Sequence, residues 1–182
     1  MDKEAVIGYK NESEKKEMFG GLQKPYKELQ KELSRKNAKR FGKDLEKKSI
    51  GNELDFLALD KQGNLLLIEY KHGENTSGIY LSPLQIGMYY DLFFQFPRVE
   101  LEKSVYGMLE QKKRIGLINS QWKTPVIKDI VPVLIISEYN YNSSAEEKYK
   151  EVLDFVRHGK GRSFLANIKT YNYTIQKGIK PW

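Results

Sequence analysis

The chain has 182 residues, 31 Lys and Arg against 24 Asp and Glu, a formal net charge of +7, and no cysteine. That length suits one domain, 1–182, with a proper core. The lack of cysteine excludes disulfides, thiolate catalysis and cysteine-ligated zinc, and two histidines, His72 and His158, are too few for a histidine-rich metal site. No apolar run approaches the roughly 18 residues of a membrane span. The polar N-terminus MDKEAVIGYKNESEKKE lacks a signal-peptide apolar core, so a cytoplasmic protein with no membrane partner is expected.

Residues 11–19 suit a short helix stopped by Gly20-Gly21, which makes 1–22 an expected N-terminal helical extension. Pro25 suits the first turn of a second helix reaching about residue 37, with Leu22, Tyr26, Leu29 and Leu33 as its apolar stripe. Glu28 and Glu32 flank that stripe. From 24 to 48 there are ten Lys and Arg against four Asp and Glu, so the positive charge is concentrated. An isolated lysine-rich helix is ordinarily just solvated. Concentrated in this way, the charge would suit a polyanionic partner, with Lys24, Lys27 and Lys31 as the expected contacts. Residues 44–50 read as a polar, lysine-bearing edge strand.

The stretch from 51 to 71, GNELDFLALDKQGNLLLIEYK, carries most of the chemistry. Two apolar runs flank Asp60-Lys61-Gln62-Gly63-Asn64, which suits a three-residue hairpin loop with Gly63 in the left-handed conformation. If Asp60 closes against Asn64, Asp55 falls opposite Glu69 and Glu53 opposite Lys71. Side chains alternate with period two, so all four share one face. Leu54, Phe56, Ala58, Leu66 and Ile68 then line one side of the hairpin and Leu57, Leu59, Leu65 and Leu67 the other, the pattern of strands buried on both faces. Charges ending such strands are less casual than those on a solvated strand. Like charges opposite each other destabilise a sheet unless a cation lies between them. Carboxylate and carbonyl oxygens suit Mg²⁺ or Mn²⁺. Glu53 is expected to pair with Lys71 across the strands.

These residues resemble the PD-(D/E)xK nuclease superfamily. Asp55 matches the first acid, Glu69 the second and Lys71 the lysine, with Leu54 in place of the nominal proline. Gln85-Ile86-Gly87-Met88-Tyr89 is similar to the QxxxY element of the RecB-type branch, and Gly51 is compatible with that branch. The motifs cover about a fifth of the chain. The resemblance implies a restriction-endonuclease-like fold and Mg²⁺ or Mn²⁺ held by Asp55, Glu69 and the Tyr70 carbonyl. It implies catalytic roles for Asp55, Glu69, Lys71 and Gln85, and a glutamate from the first helix, Glu28 or Glu32, as a further candidate. Tyr89 is grouped with the lysines as a nucleic-acid contact, although a tyrosine at that spacing more often packs in the core.

Downstream, Ser82-Pro83 reads as the cap and first turn of the helix carrying Gln85, which runs to about residue 96. A helix over 99–118 follows. The β-branched run 130–137 predicts a buried strand. Ser143 and Ser144 start a helix through His158 with Tyr149, Val152, Leu153 and Val156 inward, and 164–175 reads as one or two further strands. That order predicts an α/β fold, a mixed central sheet with helices on both faces. Trp122, Tyr139, Tyr141, Tyr171 and Tyr173 are suited either to stacking on bases or to packing at a sheet edge.

The expected function is a metal-dependent nuclease acting on nucleic acid, with DNA as the expected substrate. The competing expectations are a non-cleaving nucleic-acid-binding module on the same fold, and a homodimer or a subunit whose cleavage needs a partner.

Overall fold

Asp60 organises the turn on which the sheet is built. Its Oδ1 accepts from the backbone N–H of Gln62 at 2.9 Å and of Asn64 at 2.8 Å, and its Oδ2 accepts from Asn64 Nδ2 at 2.7 Å. Partial burial pulls the Asp60 pKa up, but hydrogen bonds from Asn64, Gln62 and Gly63 together hold it below the ordinary carboxylate value. Gly63 sits at φ +90°, and a Cβ there would collide with the Val126 carbonyl. Gly63→Ala combines a left-handed strain of about 1–2 kcal/mol with that clash. Chemical denaturation should show a loss of at least about 2 kcal/mol; an unchanged midpoint would mean that the turn does not hold this register.

The computed structural model describes residues 2–5, 12–36, 38–41, 45, 50, 53–158 and 167–182. The turn joins β2 (Leu54–Leu59) to β3 (Asn64–His72), paired antiparallel with Phe56 opposite Ile68 and Leu59 opposite Leu65. The elements before them are β1 (Asp2–Ala5), α1 (Glu12–Lys36) and the short α2 (Ala38–Phe41). Those after are α3 (Thr76–Gln95), α4 (Arg98–Arg114), β4 (Asp129–Ser137), α5 (Ala145–His158), β5 (Lys169–Thr174) and β6 (Gly178–Pro181). The six strands form one sheet in chain order. The pairings β3–β4 and β4–β5 are parallel and the other three antiparallel, so the sheet is mixed. The parallel pairs are bridged by helical crossovers, as parallel strands require.

Two registers across the sheet locate the core. Glu69 stands level with Leu134 and Thr170, and Lys71 with Ile136, Asn172 and Lys180. All three larger helices after β3 pack on this face. Tyr149 of α5 hydrogen-bonds Thr170 at 3.1 Å, Val105 and Leu109 of α4 meet Leu57 and Leu65, and Tyr89 of α3 faces Glu69. α3 is buried on nearly every side, as a helix between a sheet and further helices must be. α1 lies over it, with the Tyr26 hydroxyl donating to Asp91 at 2.5 Å.

The expectation of helices on both faces needs correction. Among the described residues α3, α4 and α5 share one side. On the other, Phe56, Ala58, Leu66, Val131, Ile135, Tyr171 and Tyr173 are half-buried, Leu54, Ile68 and Val133 are buried, and Tyr70 and Ile179 are exposed. Neighbouring apolar side chains on a sheet shield one another, so an apolar run does not require a covering layer.

Helix boundaries also differ from those expected. α1 runs unbroken for 25 residues through Gly20-Gly21 and Pro25. The bond lost at Pro25 belongs to the carbonyl of Gly21, which is exposed to water, while Tyr26 and Leu33 are fully buried. The 1–22 segment is likewise not purely helical, since Asp2–Ala5 pairs with β2 as an edge strand. α3 starts at Thr76, not at Ser82-Pro83. Asn75 caps it, its side chain accepting from the Gly78 N–H, and Pro83 sits inside the helix. Pro83 cannot donate to the Ile79 carbonyl; the Ser82 hydroxyl does so instead, at 2.7 Å.

α4 ends at Arg114, earlier than expected, and Gly116 follows at φ +75°. The strand expected over 44–50 falls mostly outside the described residues, as does Gly51; Leu45 and Ile50 are buried. β4 and α5 lie as the sequence predicts, and β6 extends the sheet beyond the strands expected over 164–175, of which 164–166 are not described. No described helix is long and apolar enough to cross a membrane.

Candidate functional site

Asp55 precedes Phe56, whose partner is Ile68, so it comes level with Glu69 at the open end of the hairpin. Glu69 and Lys71 are two apart on β3 and project to the same side. The Lys71 ammonium pairs directly with Glu69 Oε1 and lies 3.9 Å from Asp55 Oδ2. Asp55 Oδ2 also accepts from the Tyr70 backbone N–H at 2.8 Å, fastening the carboxylate across the strands. The three side chains form a gradient of exposure: Asp55 38%, Lys71 15%, Glu69 0%. The site therefore opens to solvent on the Asp55 side and has Glu69 as its floor.

Glu69 is the unusual group. Burial pushes its pKa up from 4.5 to about 8, outweighing the pull of Lys71, and the nearby Asp55 adds to the rise. Its Oε2 is buried and accepts no hydrogen bond. A buried carboxylate oxygen without a partner is costly, and it marks a place where a proton or a cation is wanted.

Behind Glu69 lies Tyr89, 2% exposed, its hydroxyl also without a hydrogen-bond partner. Its pKa is raised, first by burial and then by the charge of Glu69, while Gln85 one turn earlier on α3 acts against the rise. Gln85 is half-buried, with Nε2 3.5 Å from the Glu53 backbone carbonyl. The end of β3 is held against β4 at Gly73, whose N–H donates to the Ser137 carbonyl at 2.6 Å and whose missing side chain leaves room for the backbone of Glu138.

Asp55, Glu69 and Lys71 thus converge, and Gln85 borders them beside Tyr89 and the Glu53 carbonyl. Tyr89 belongs with them but is too buried to touch nucleic acid, so its grouping with the surface lysines is corrected. The expected Glu53–Lys71 pair is absent: Glu53 is exposed, and the lysine turns to two acids rather than one. Glu28 and Glu32 do not join the site. Both are exposed on α1, paired with Lys31 at 3.3 Å and Lys36 at 2.8 Å. Lys24, Lys27 and Lys31 are exposed on the same helix. Part of the basic segment is spent on ion pairs, since Arg40 binds both Glu147 and Glu151 at 2.8 Å. The Tyr70 N–H donating to Asp55 has no signal in the sequence, because only the twist and register of the folded hairpin aim a carboxylate at a backbone group. The Tyr70 side chain itself lies on the open face, edge-on to Phe56.

No protein-family model matches this chain, and no curated protein or solved structure is significantly similar to it.

The donor set can be tested against a divalent cation. Among the described residues no group of three or more His, Cys, Asp or Glu is arranged to hold a metal. Two carboxylates and a neighbouring backbone carbonyl remain. That set is too sparse for Ca²⁺ or Zn²⁺, but it fits Mg²⁺, which keeps several waters and uses one or two carboxylates. The orphaned Glu69 Oε2 supplies an oxygen ready to ligate. Lys71 currently fills the place of the cation and would have to leave Glu69 as the ion enters.

Proposed function

We propose that this protein is a metal-dependent nuclease on a restriction-endonuclease-like fold, hydrolysing phosphodiester bonds in DNA. The observation that carries the reading is a fully buried Glu69 with an unpartnered oxygen, held on one face with Asp55 and Lys71 at a solvent-open strand end. A stable core has no need of such a group, and perturbed carboxylates in open sites are functional candidates.

Asp55, Glu69 and the Tyr70 carbonyl would hold Mg²⁺ or Mn²⁺. Bound there, the ion would lower the pKa of a water and polarise the phosphate. Asp55, the more exposed acid, meets the substrate side, and Glu69 anchors the site from below. Lys71, displaced from Glu69, neutralises charge developing on the phosphate or orients the attacking water. Gln85 positions the nucleophile or an adjacent nucleotide. Tyr89 shapes the floor and excludes water from behind Glu69.

The position of Lys71 also favours a second reading. An ammonium already balancing both acids would suit a module that binds nucleic acid without cleaving it. Incubating wild type and Lys71→Ala with duplex DNA, single-stranded DNA and RNA, in Mg²⁺ or Mn²⁺, separates the two.

Binding itself is expected to be electrostatic. Affinity for DNA should fall steeply with salt, and replacing Lys24, Lys27 and Lys31 together should weaken it for all sequences alike. The slope of log affinity against log salt should drop by up to about 3, roughly one per phosphate contact. Lys31 shares its charge with Glu28, so its part should be the smallest. An affinity indifferent to salt would remove the nucleic-acid assignment.

A further inference from the structure

A second concavity lies three strands from Glu69, at the other edge of the sheet. It is a cavity of about 390 Å³ between the β5–β6 hairpin and the start of α5, within the size range of small-ligand sites. Tyr141 and Trp182 supply aromatic surface, Asn172 an amide, and Lys177 and Lys180 positive charge.

Two polar atoms here lack partners. Asn172 is 8% exposed; its Nδ2 donates to the Tyr141 hydroxyl at 3.0 Å, but its Oδ1 is buried and unpaired. Turning the amide over only exchanges which end is left unpaired. The Trp182 indole N–H is likewise buried without an acceptor. Such groups are rare in native proteins and costly. One wants a donor and the other an acceptor.

The walls around them differ in freedom. Trp182 is pinned edge-on by Tyr139 and Tyr149, both with ring centroids at 5.2 Å. Tyr141 is 76% exposed, but it too sits edge-on to Tyr139 at 5.2 Å and accepts the Asn172 hydrogen bond, so a ligand reaches the two buried atoms by displacing it. Glu146, the one acid of the lining, is neutralised by Lys150 at 2.6 Å. Lys177 and Lys180 form no ion pair among the described residues, so the rim is net positive.

We propose that this cavity binds a nucleotide unit. The base lies against Tyr141, and displacing that ring brings its edge, which carries both donor and acceptor, to Asn172 and the Trp182 N–H. The phosphate is held by Lys177 and Lys180. Aromatic surface suits any base, and the paired amide and indole turn surface contact into recognition. Asn172 stands in one register with Lys71, two strands away and thus about 10 Å along the sheet. The unit could therefore be a free nucleotide or part of a strand whose backbone passes the acid site. The inference does not depend on cleavage.

The chain contains two tryptophans, Trp122 and Trp182, so Trp122→Phe leaves Trp182 as the sole tryptophan, excited selectively over the tyrosines at the red edge of the absorption band. Titration in EDTA with nucleoside monophosphates, inorganic phosphate and a short single strand should give saturable quenching by nucleotides. Their affinity should exceed that of inorganic phosphate at least about tenfold, and Asn172→Ala should cost about tenfold, the worth of one buried hydrogen bond. Lys177→Ala/Lys180→Ala, changed only on the surface, should fold normally and lose a similar factor, which covers the case of a misfolded Asn172 variant. Tighter binding of the strand than of the monophosphates assigns the site to nucleic acid, and the reverse to a free nucleotide. No quenching at millimolar nucleotide, or phosphate binding as well as nucleotides, overturns the proposal. The readout needs neither metal nor cleavage, so failure here leaves the nuclease reading standing, and the reverse holds too.

Discussion

Lys71→Ala should lower Mg²⁺-dependent cleavage of DNA by about a thousandfold, the usual worth of a positioned group that stabilises charge in the transition state. It should do so with little change in DNA affinity, since the exposed lysines of α1 lie elsewhere. The same substitution has a second effect that the geometry makes separable. It strips the buried Glu69 of its only direct ion partner among the described residues, and once Glu69 is ionised, at about pH 8 and above, breaking a buried pair on one side costs about 3–5 kcal/mol. The single variant should therefore be inactive and less stable. Pairing Lys71→Met with Glu69→Gln removes both charges and should recover most of the stability while leaving cleavage absent. Stopped-time cleavage assays beside denaturant titrations read the two effects apart. Wild-type cleavage in Lys71→Ala would end the mechanism, and a wild type that binds DNA but cuts nothing in Mg²⁺ or Mn²⁺ would favour the binding module.

The second large effect is a fall in stability with rising pH in the metal-free protein. Glu69 has a folded-state pKa of about 8 against 4.5 unfolded. Its folded form holds the proton more tightly, so its contribution is fully present below about pH 4.5 and is lost as pH rises through about 8. At about 1.4 kcal/mol per pH unit, the interval sets an upper bound near 5 kcal/mol. Glu69→Gln, which stays neutral, should flatten that part of the profile and be the more stable protein at pH 8 and above. Mg²⁺ should restore part of the lost wild-type stability at high pH, because the ion binds the deprotonated acid and stabilises only the native state. A profile unaffected by Glu69→Gln would contradict the buried, proton-hungry acid. Coincident wild-type curves with and without Mg²⁺ would leave Lys71 as the permanent cation of the site.

Two carboxylates level on paired strands with nothing between them would repel, and removing either would then cost no stability. The inserted ammonium changes the sign of that argument. Asp55 and Glu69 do not face each other bare, and Glu69→Ala would leave Lys71, only 15% exposed, with Asp55 alone. Which charge sits between two carboxylates is a matter of side-chain placement that residue spacing does not contain.

The amino-acid sequence alone determined whatever depends on covalent period and local turn chemistry. Gly63 and Asp60 set the hairpin register, period two then put Asp55, Glu69 and Lys71 on one face, and the stripe of Tyr149, Val152, Leu153 and Val156 placed α5. Tertiary structure decided what depends on neighbours distant in the chain. Pro83 sits inside α3 because Ser82 takes over its missing hydrogen bond in a helix buried on nearly all sides. Pro25 is tolerated in α1 because Gly21 faces water while Tyr26 is locked against Asp91. Tyr89 is floor rather than contact surface because the sheet and α3 close over it, and Asn172 meets Trp182 only through β5–β6 pairing. Burial is a property of the assembled layers, and it is burial that raises Glu69 and shields Tyr89.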